Sequence, residues 1–235
     1  MDLGDIREGY VDEEELIAAA VETEKLSRVD LYGIGTNLTC FSFIQADEEK
    51  MECLAEMRRK VENAAGHTLE IVSGGNSAAL DLMMHGGICE GVDNFRLGES
   101  LLFGKERSRY TFLPGTRNDG FILECEVVEA KVKPSLPWGT AGVDSYGRKP
   151  VFTDRGEKRK KVICAIGRQD FDAETATPVD EGILILGASS DHLMLDVTDS
   201  VKEYKVGDIV ELRLGYFSVL RAFTSPYVEK IFLKK

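Results

Sequence analysis

The chain has 235 residues, 43% of them hydrophobic, and its 41 acidic against 29 basic side chains give a net charge of −12 and an isoelectric point near 4.8. That composition supplies enough apolar material for one or two packed domains and excludes intrinsic disorder. An acidic surface repels phosphate backbones, so nucleic acid is excluded as a partner, and the one basic run, residues 156–161, is expected at a solvated hairpin tip. No stretch approaches the roughly 18 apolar residues of a membrane span, and the first residues carry neither the basic nor the apolar region of a signal peptide. Five cysteines, at positions 40, 53, 89, 125 and 164, form no CxxC pair. Most sit in apolar runs, where a free thiol packs as a small hydrophobe, which favours a cytoplasmic protein.

In chain order, Asp12 and Glu15 form a capping box ahead of Leu16, Ala20 and Val21, which predicts a helix running to about Arg28. Residues 29–34 read as a strand. Asp47 opens a second helix, with Met51, Leu54, Ala55, Arg58 and Val61 at helical spacing and Gly66 as a left-handed stop. A strand over 68–72, a Gly-Gly-Asn-Ser turn at 74–77, a short helix over 78–84 and a strand within 95–103 complete a βαβα alternation, the pattern of a parallel sheet or barrel. His67 and His85 adjoin glycines at helix ends and read as C-terminal residues. After Pro114-Gly115 the pattern changes to strands without helices, at 121–132, 161–166, 182–186, 192–197 and 209–214. The division expected is an α/β domain over 1–112 and an all-β domain over 113–235.

Three glycine-containing segments lie at strand ends: Gly33-Ile-Gly-Thr-Asn-Leu-Thr-Cys40, Ser73-Gly-Gly-Asn-Ser77 and Phe95-Arg-Leu-Gly-Glu-Ser100. Glycine lets a backbone approach a ligand closely, Ser77 offers a hydroxyl and helix starts offer free N–H groups, so together they could seat a phosphate. Taken alone these are weak motifs, and a Gly-Gly-Asn-Ser tract is more often just a turn. Asp2, Asp5, Arg7 and Glu8 read by themselves as a charged loop, and Arg96 as a surface ion-pair partner of Asp93. No residue pattern suggests a metal site.

Taken together, Asp2-Leu-Gly-Asp-Ile-Arg-Glu-Gly9, Gly35-Thr-Asn-Leu-Thr-Cys40, Ser73-Gly-Gly-Asn-Ser77 and Arg96-Leu-Gly-Glu-Ser100 resemble the alanine-racemase-like, fold-type III enzymes that use pyridoxal 5′-phosphate, and within them the ornithine racemase branch. The resemblance continues through Gly142-Val-Asp-Ser-Tyr-Gly147, Ile166-Gly-Arg-Gln-Asp170 and Gly187-Ala-Ser-Ser-Asp-His-Leu-Met-Leu-Asp196 and covers practically the whole chain. It implies a partial (β/α)8 barrel, from the end of strand five to strand eight, followed by a β-domain. It also implies racemisation of ornithine or another basic amino acid, and a homodimer in which the β-domain of one subunit completes the other's site. For the cofactor it implies Arg7 near the phenolic oxygen, Asn37 against the pyridine ring and Arg96 at the ring nitrogen. Asn76, Ser77, Gly98, Glu99 and Tyr227 would meet the phosphate.

The chain departs from that pattern in two respects. The lysine that holds the cofactor covalently has no counterpart, because the resemblance begins inside the fifth strand; Met1 is accordingly an internal methionine on this reading, and Lys105 a surface residue. Where alanine racemases place a tyrosine in a Gly-Tyr-x-Asp turn, this chain has Arg168. Arginine is a poor proton donor at neutral pH, so Asp170, Ser190 and His192 stand beside Arg168 as candidates for the second base. Tyr146 reads as structural. The expected entity is a carboxyl-terminal fragment inactive alone and completed by a second copy or by an amino-terminal fragment. The alternatives are a non-catalytic ligand-binding or interaction module, or a truncated gene product.

Overall fold

A computed structural model describes residues 1–144 and 147–234, in two compact units, Met1–Asn118 and Asp119–Lys235. Tyr146 lies outside the described residues, as does Ser145 of the same motif.

The first unit is built on a three-stranded parallel sheet of β1 (Gly33–Gly35), β2 (Ile71–Asn76) and β3 (Asn94–Arg96), with β2 in the middle. Helices α1 (Glu13–Glu24) and α2 (Glu48–Ala65) pack together beside it. Both start at the expected caps: Asp12 accepts from the Glu15 N–H at 2.9 Å and Asp47 from the Lys50 N–H at 2.9 Å. Gly66 stops α2 with φ of 80°. Met51, Leu54, Met57 and Val61 of α2 join Leu16 and Ala20 of α1 and Ile34, Leu69 and Val72 in one core.

The strand boundaries differ from the sequence expectation. β1 does not span 29–34; it begins at Gly33, because the Glu70 and Ile71 N–H groups already converge on the Tyr32 carbonyl and ladder pairing starts only at Gly33 opposite Ile71. A Cβ at Gly33 would stand 2.0 Å from the Ile71 carbonyl oxygen, so the first paired residue must be glycine. Gly74-Gly75-Asn76 is not a turn but the end of β2; Gly75, at φ +117°, sits in the bulge between the pairs Ser73 opposite Asn94 and Asn76 opposite Arg96. Beyond Arg96 the chain coils into α4 (Glu99–Phe103), so the strand expected within 95–103 is only its first residues. Between β2 and β3, a 3-10 turn (Ser77–Ala79) leads into α3 (Leu80–Met84), which His85 caps.

Arg58 ties α2 to the sheet by donating to Glu62 at 2.9 Å, to the Leu69 carbonyl at 3.0 Å and to Asp93 at 3.3 Å. Asp93 also accepts from the Val72 N–H at 2.8 Å, so its partner is Arg58 rather than Arg96.

The second unit is a six-stranded antiparallel sheet of β4 (Ile122–Lys133), β5 (Arg159–Cys164), β6 (Ala176–Pro178), β7 (Leu184–Ala188), β8 (Leu193–Asp196) and β9 (Ile209–Leu214), in the order β6-β9-β4-β5-β8-β7. β4 pairs with β9 through its first half and with β5 through its second, bending at a bulge between Val127 and Glu129. The edge strands β6 and β7 meet, so the sheet is nearly closed around Val127, Val162, Leu193, Leu195, Val210 and Leu212. The expectation of strands alone fails at α5 (Tyr216–Thr224), where Ser218, Val219 and Ala222 are buried beside β9. The basic run is not a hairpin tip throughout, since Arg159, Lys160 and Lys161 lie in β5 and are paired with Asp196, Glu203 and the Pro134 carbonyl respectively.

Asp196 is 1% exposed and accepts from Arg159 at 2.8 Å and from the Thr198 N–H and hydroxyl. Burial pushes its carboxyl up, but these hydrogen bonds and the Arg159 charge outweigh it and leave it below the ordinary value. A carboxylate lowered by folding stabilises the fold above its unfolded pKa, about 3.9, and that contribution is lost as pH falls through the folded value. Asp196→Asn is expected to cost about 3 kcal/mol at pH 7, as removal of one partner from a buried pair does. In urea denaturation followed by circular dichroism, the gap between wild type and variant should narrow below about pH 4.

Candidate active site

The three parallel strands deliver their carboxyl ends to one place, and a single guanidinium joins them. Arg96, closing β3, donates through Nη1 to the Ser73 hydroxyl of β2 and through Nη2 to the Thr36 carbonyl, one residue past β1, at 2.8 Å. Thr36 is buried, and its hydroxyl is the one buried side-chain polar atom without a hydrogen-bond partner among the described residues.

Next to this clamp, Asn76 donates to Asn37 Oδ1 at 2.7 Å, to the Leu38 carbonyl at 3.0 Å and to Cys40 Sγ at 3.2 Å, and accepts from the Ala78 N–H at 2.8 Å. One amide thus fixes the loop after β1 and starts the turn after β2. Ser77 and Ser100 are both buried; Ser77 Oγ lies 3.0 Å from Ser100 Oγ and accepts from the Ser100 N–H at 3.2 Å, which joins the start of the 3-10 turn to the start of α4. Ahead of Ser100, the Gly98 and Glu99 N–H groups make no hydrogen bond among the described residues. A Cβ at Gly98 would meet nothing within 4 Å, so the side-chain side of this glycine is open. Burial raises the Glu99 carboxyl above its ordinary value against the opposing charges of Arg107, 3.5 Å away, and Lys105.

The amino-terminal loop is not an ordinary charged loop. Asp2 is buried and accepts from the Gly4 and Ile6 N–H groups, while Asp5, 2% exposed, accepts from Phe41 and Ser42 N–H at 3.0–3.2 Å. Arg7 pairs with Glu8, which accepts from Asn37 at 3.3 Å. Arg7, Glu8, Asn37, Asn76 and Cys40 therefore form one polar chain beside the Arg96 clamp.

The remaining candidates, Lys105 apart, belong to the second unit. Asp170 is buried and accepts from the Ser225 hydroxyl at 2.7 Å. His192 Nδ1 lies 3.3 Å from Asp191 in an exposed turn, where Ser190 also donates to Asp191. Arg168 is exposed and donates through Nε to the Ala188 carbonyl at 2.7 Å. Tyr227 is 79% exposed. Lys105 lies over the rings of Tyr110 and Phe112. The sequence reading missed Thr36, Ser73 and Ser100 as partners of the site. All three stood in the segments singled out, but only the register reveals what they touch.

Residues 1–106 match the alanine racemase N-terminal domain family. Over 230 residues the chain is 45% identical to an ornithine racemase of Acetoanaerobium sticklandii, covering 98% of this chain and 65% of that protein. Over 232 residues it is 42% identical to a lysine racemase of Thermotoga maritima, covering 99% of this chain and 64% of that protein. Along nearly its whole length the chain is similar to members of the alanine-racemase-like family. It spans about two thirds of the length of these relatives, 65% and 64%.

Solved alanine-racemase-like structures share the fold. The alanine racemase of Streptomyces lavendulae superposes with a TM-score of 0.62 at 18% identity, over 100% of this chain and 65% of that one. That of Bartonella henselae, which carries covalently bound pyridoxal phosphate, gives 0.56 at 20% identity over 89% of this chain and 55% of that one. These neighbours fit a partial barrel followed by a β-domain. No helix among the described residues is long and apolar enough to cross a membrane.

The Asp5 carboxylate is what fixes the loop that carries Asn37 and Cys40. Asp5→Ala should strip the Phe41 and Ser42 N–H groups of their acceptor, at about 1–3 kcal/mol for a buried unsatisfied group. Amide hydrogen exchange at these two residues is expected to accelerate at least tenfold, with exchange in the β4–β5 ladder unchanged.

Proposed function

We propose that this alanine-racemase-like chain forms part of a pyridoxal 5′-phosphate-dependent racemase of a basic amino acid, ornithine or lysine. The observation that carries the reading is the junction of three parallel strand ends on Arg96, with the unpaired Gly98 and Glu99 N–H groups close by in sequence. This donor set fits the cofactor, because an oxygen-rich dianion is held by N–H and O–H donors at a glycine-bounded helix start, and a flat nitrogen heterocycle is met edge-on by a guanidinium. On this reading β1, β2 and β3 are strands six, seven and eight of a (β/α)8 barrel, and residues 2–9 close strand five.

When bound, the cofactor supplies a conjugated electron sink that acidifies the Cα–H of the amino acid. Arg96 does not give up its protons near neutral pH, so its N–H toward the ring nitrogen offers a hydrogen bond without protonating it. Ser73 and the Thr36 carbonyl hold the guanidinium against rotation. Asn76 and Ser77, with the Gly98 and Glu99 N–H groups, would hold the phosphate. Asn37, fixed by Asn76 and Glu8, would meet the ring, and Arg7 the phenolic oxygen.

Proton exchange from the second unit falls to His192, oriented by Asp191. Imidazole is the side chain suited to exchange protons near neutral pH, whereas Asp170 is committed to Ser225 and Arg168 keeps its charge. The assembly proposed is a homodimer, or a complex with an amino-terminal barrel segment, in the cytoplasm. The 235-residue polypeptide alone is read as inactive, since the lysine that holds the cofactor in the family has no counterpart among its residues.

Titration of the chain with pyridoxal 5′-phosphate, followed by absorbance, tests the site. Ser77→Ala and Arg96→Ala should each weaken binding by about 1.5–3 kcal/mol, the worth of a hydrogen bond to a charged group, which is roughly tenfold to a hundredfold. Unchanged affinity in both removes the proposed site. Chiral chromatography of L-ornithine and L-lysine incubated with the polypeptide and cofactor should show no D-isomer above the rate of free cofactor.

A further inference from the structure

Within the second unit, Arg148, Arg168, Arg221, Asp172 and Glu174 line a cavity of about 420 Å³. Ligand pockets are ordinarily walled by apolar side chains with a few polar groups; here every lining side chain is charged, and both signs are present. Two of the arginines are occupied. Arg148 lies 3.1 Å from Asp144, and Arg221 reaches Asp172 at 3.5 Å while donating to the Arg168 and Phe171 carbonyls.

Arg168 differs from them. Its backbone N–H is held by the Ser189 carbonyl at 2.8 Å and its Nε by the Ala188 carbonyl at 2.7 Å, so backbone alone fixes the guanidinium. Its two terminal amino groups make no hydrogen bond or ion pair among the described residues. Glu174 is its counterpart. The Glu174 N–H is capped by Asp172 at 3.0 Å, yet its carboxylate has no partner among the described residues. An anchored cation and an anion thus line one cavity without pairing with each other.

We propose that this cavity binds a free α,ω-diamino acid, with the α-carboxylate on the terminal amino groups of Arg168 and the distal ammonium on Glu174 and Asp172. The identity of the ligand rests on the proposed function, the racemisation of a basic amino acid. Such a molecule carries opposite charges at its two ends, which the separated, unpaired charges of the wall require. A phosphate dianion would meet the two acidic residues unfavourably, and a monoamino acid has its ammonium beside its carboxylate and leaves Glu174 unanswered. Arg168 is then a substrate-binding residue, a role in which permanent charge is an advantage.

Isothermal titration of the 235-residue chain without cofactor, using L-ornithine, L-norvaline and putrescine, tests the assignment. Ornithine should bind, and norvaline, lacking the distal ammonium, and putrescine, lacking the carboxylate, should each bind at least tenfold more weakly. Arg168→Ala and Glu174→Gln should each weaken ornithine at least tenfold with an unchanged circular dichroism spectrum; Glu174 makes no side-chain contact whose loss would unfold the unit. No ornithine binding, equal binding of norvaline, or wild-type affinity in both variants overturns the site. Because no cofactor is present, any of these results leaves the Ser77 and Arg96 titrations standing. Failure of those titrations with ornithine binding intact upholds the cavity and overturns the proposed function alone.

Discussion

Arg96 is a residue of β3 that bonds to β2 and to the residue after β1, and the geometry of the first unit follows from that one guanidinium. Parallel strands cannot be joined by tight turns, so their ends are set by the crossovers between them. A planar fork with several donors in fixed geometry is well suited to tying three such ends together. The strands must also approach closely. Gly33 and Gly74 permit this, since a Cβ at Gly74 would stand 2.7 Å from the Phe95 ring. Lysine at position 96 would offer its donors from a single nitrogen in place of a planar fork.

The net charge of −12 takes on a structural meaning once the carboxylates are located. Asp12, Asp47 and Asp172 cap helical turns, Asp2 and Asp5 gather the N–H groups of loops, and Glu106, 2% exposed, accepts from Ser108, Arg109 and Thr111. Burial pushes Glu106 up, but these donors outweigh it and hold it below the ordinary range. Acidic side chains here largely replace backbone acceptors where secondary structure ends, so the loops that bear the candidate site are held by local carboxylate contacts.

Much of this was legible in the sequence because caps act over a few residues. The two capping aspartates, the Gly66 stop and the apolar spacing of α2 need nothing beyond their neighbours. What failed was non-local. Gly74-Gly75-Asn76 has the composition of a turn, and only pairing with β3 makes it strand; residues 29–32 have the composition of a strand, but β2 offers no partner N–H groups beyond those already on Tyr32. α5 was hidden because Tyr216–Thr224 is rich in aromatic and β-branched residues, and it folds as helix against β9, a contact no local propensity reports. The candidate residues were visible as motifs, yet the choice between an Arg96–Asp93 pair and an Arg96 clamp depended on Arg58, 38 residues upstream in the sequence, having already engaged Asp93.

The two guanidinium sites illustrate the same constraint with different consequences. Arg96 and Arg168 are each immobilised by neutral acceptors, a hydroxyl and a carbonyl for Arg96 and a carbonyl alone for Arg168, and neither is neutralised by a carboxylate. An arginine paired with an aspartate has little charge left to offer a ligand, whereas one held by carbonyl dipoles keeps its full charge in a fixed direction. Arg58 and Arg159, bonded to Glu62 and Asp196, fasten elements of the fold. Carbonyl-held arginines are therefore the ones available for recognition, and in this chain they stand at the strand ends of one unit and on the charged cavity of the other. The distinction lies in the partner's charge, which sequence spacing does not encode because the decisive acceptors are backbone oxygens brought up by the fold.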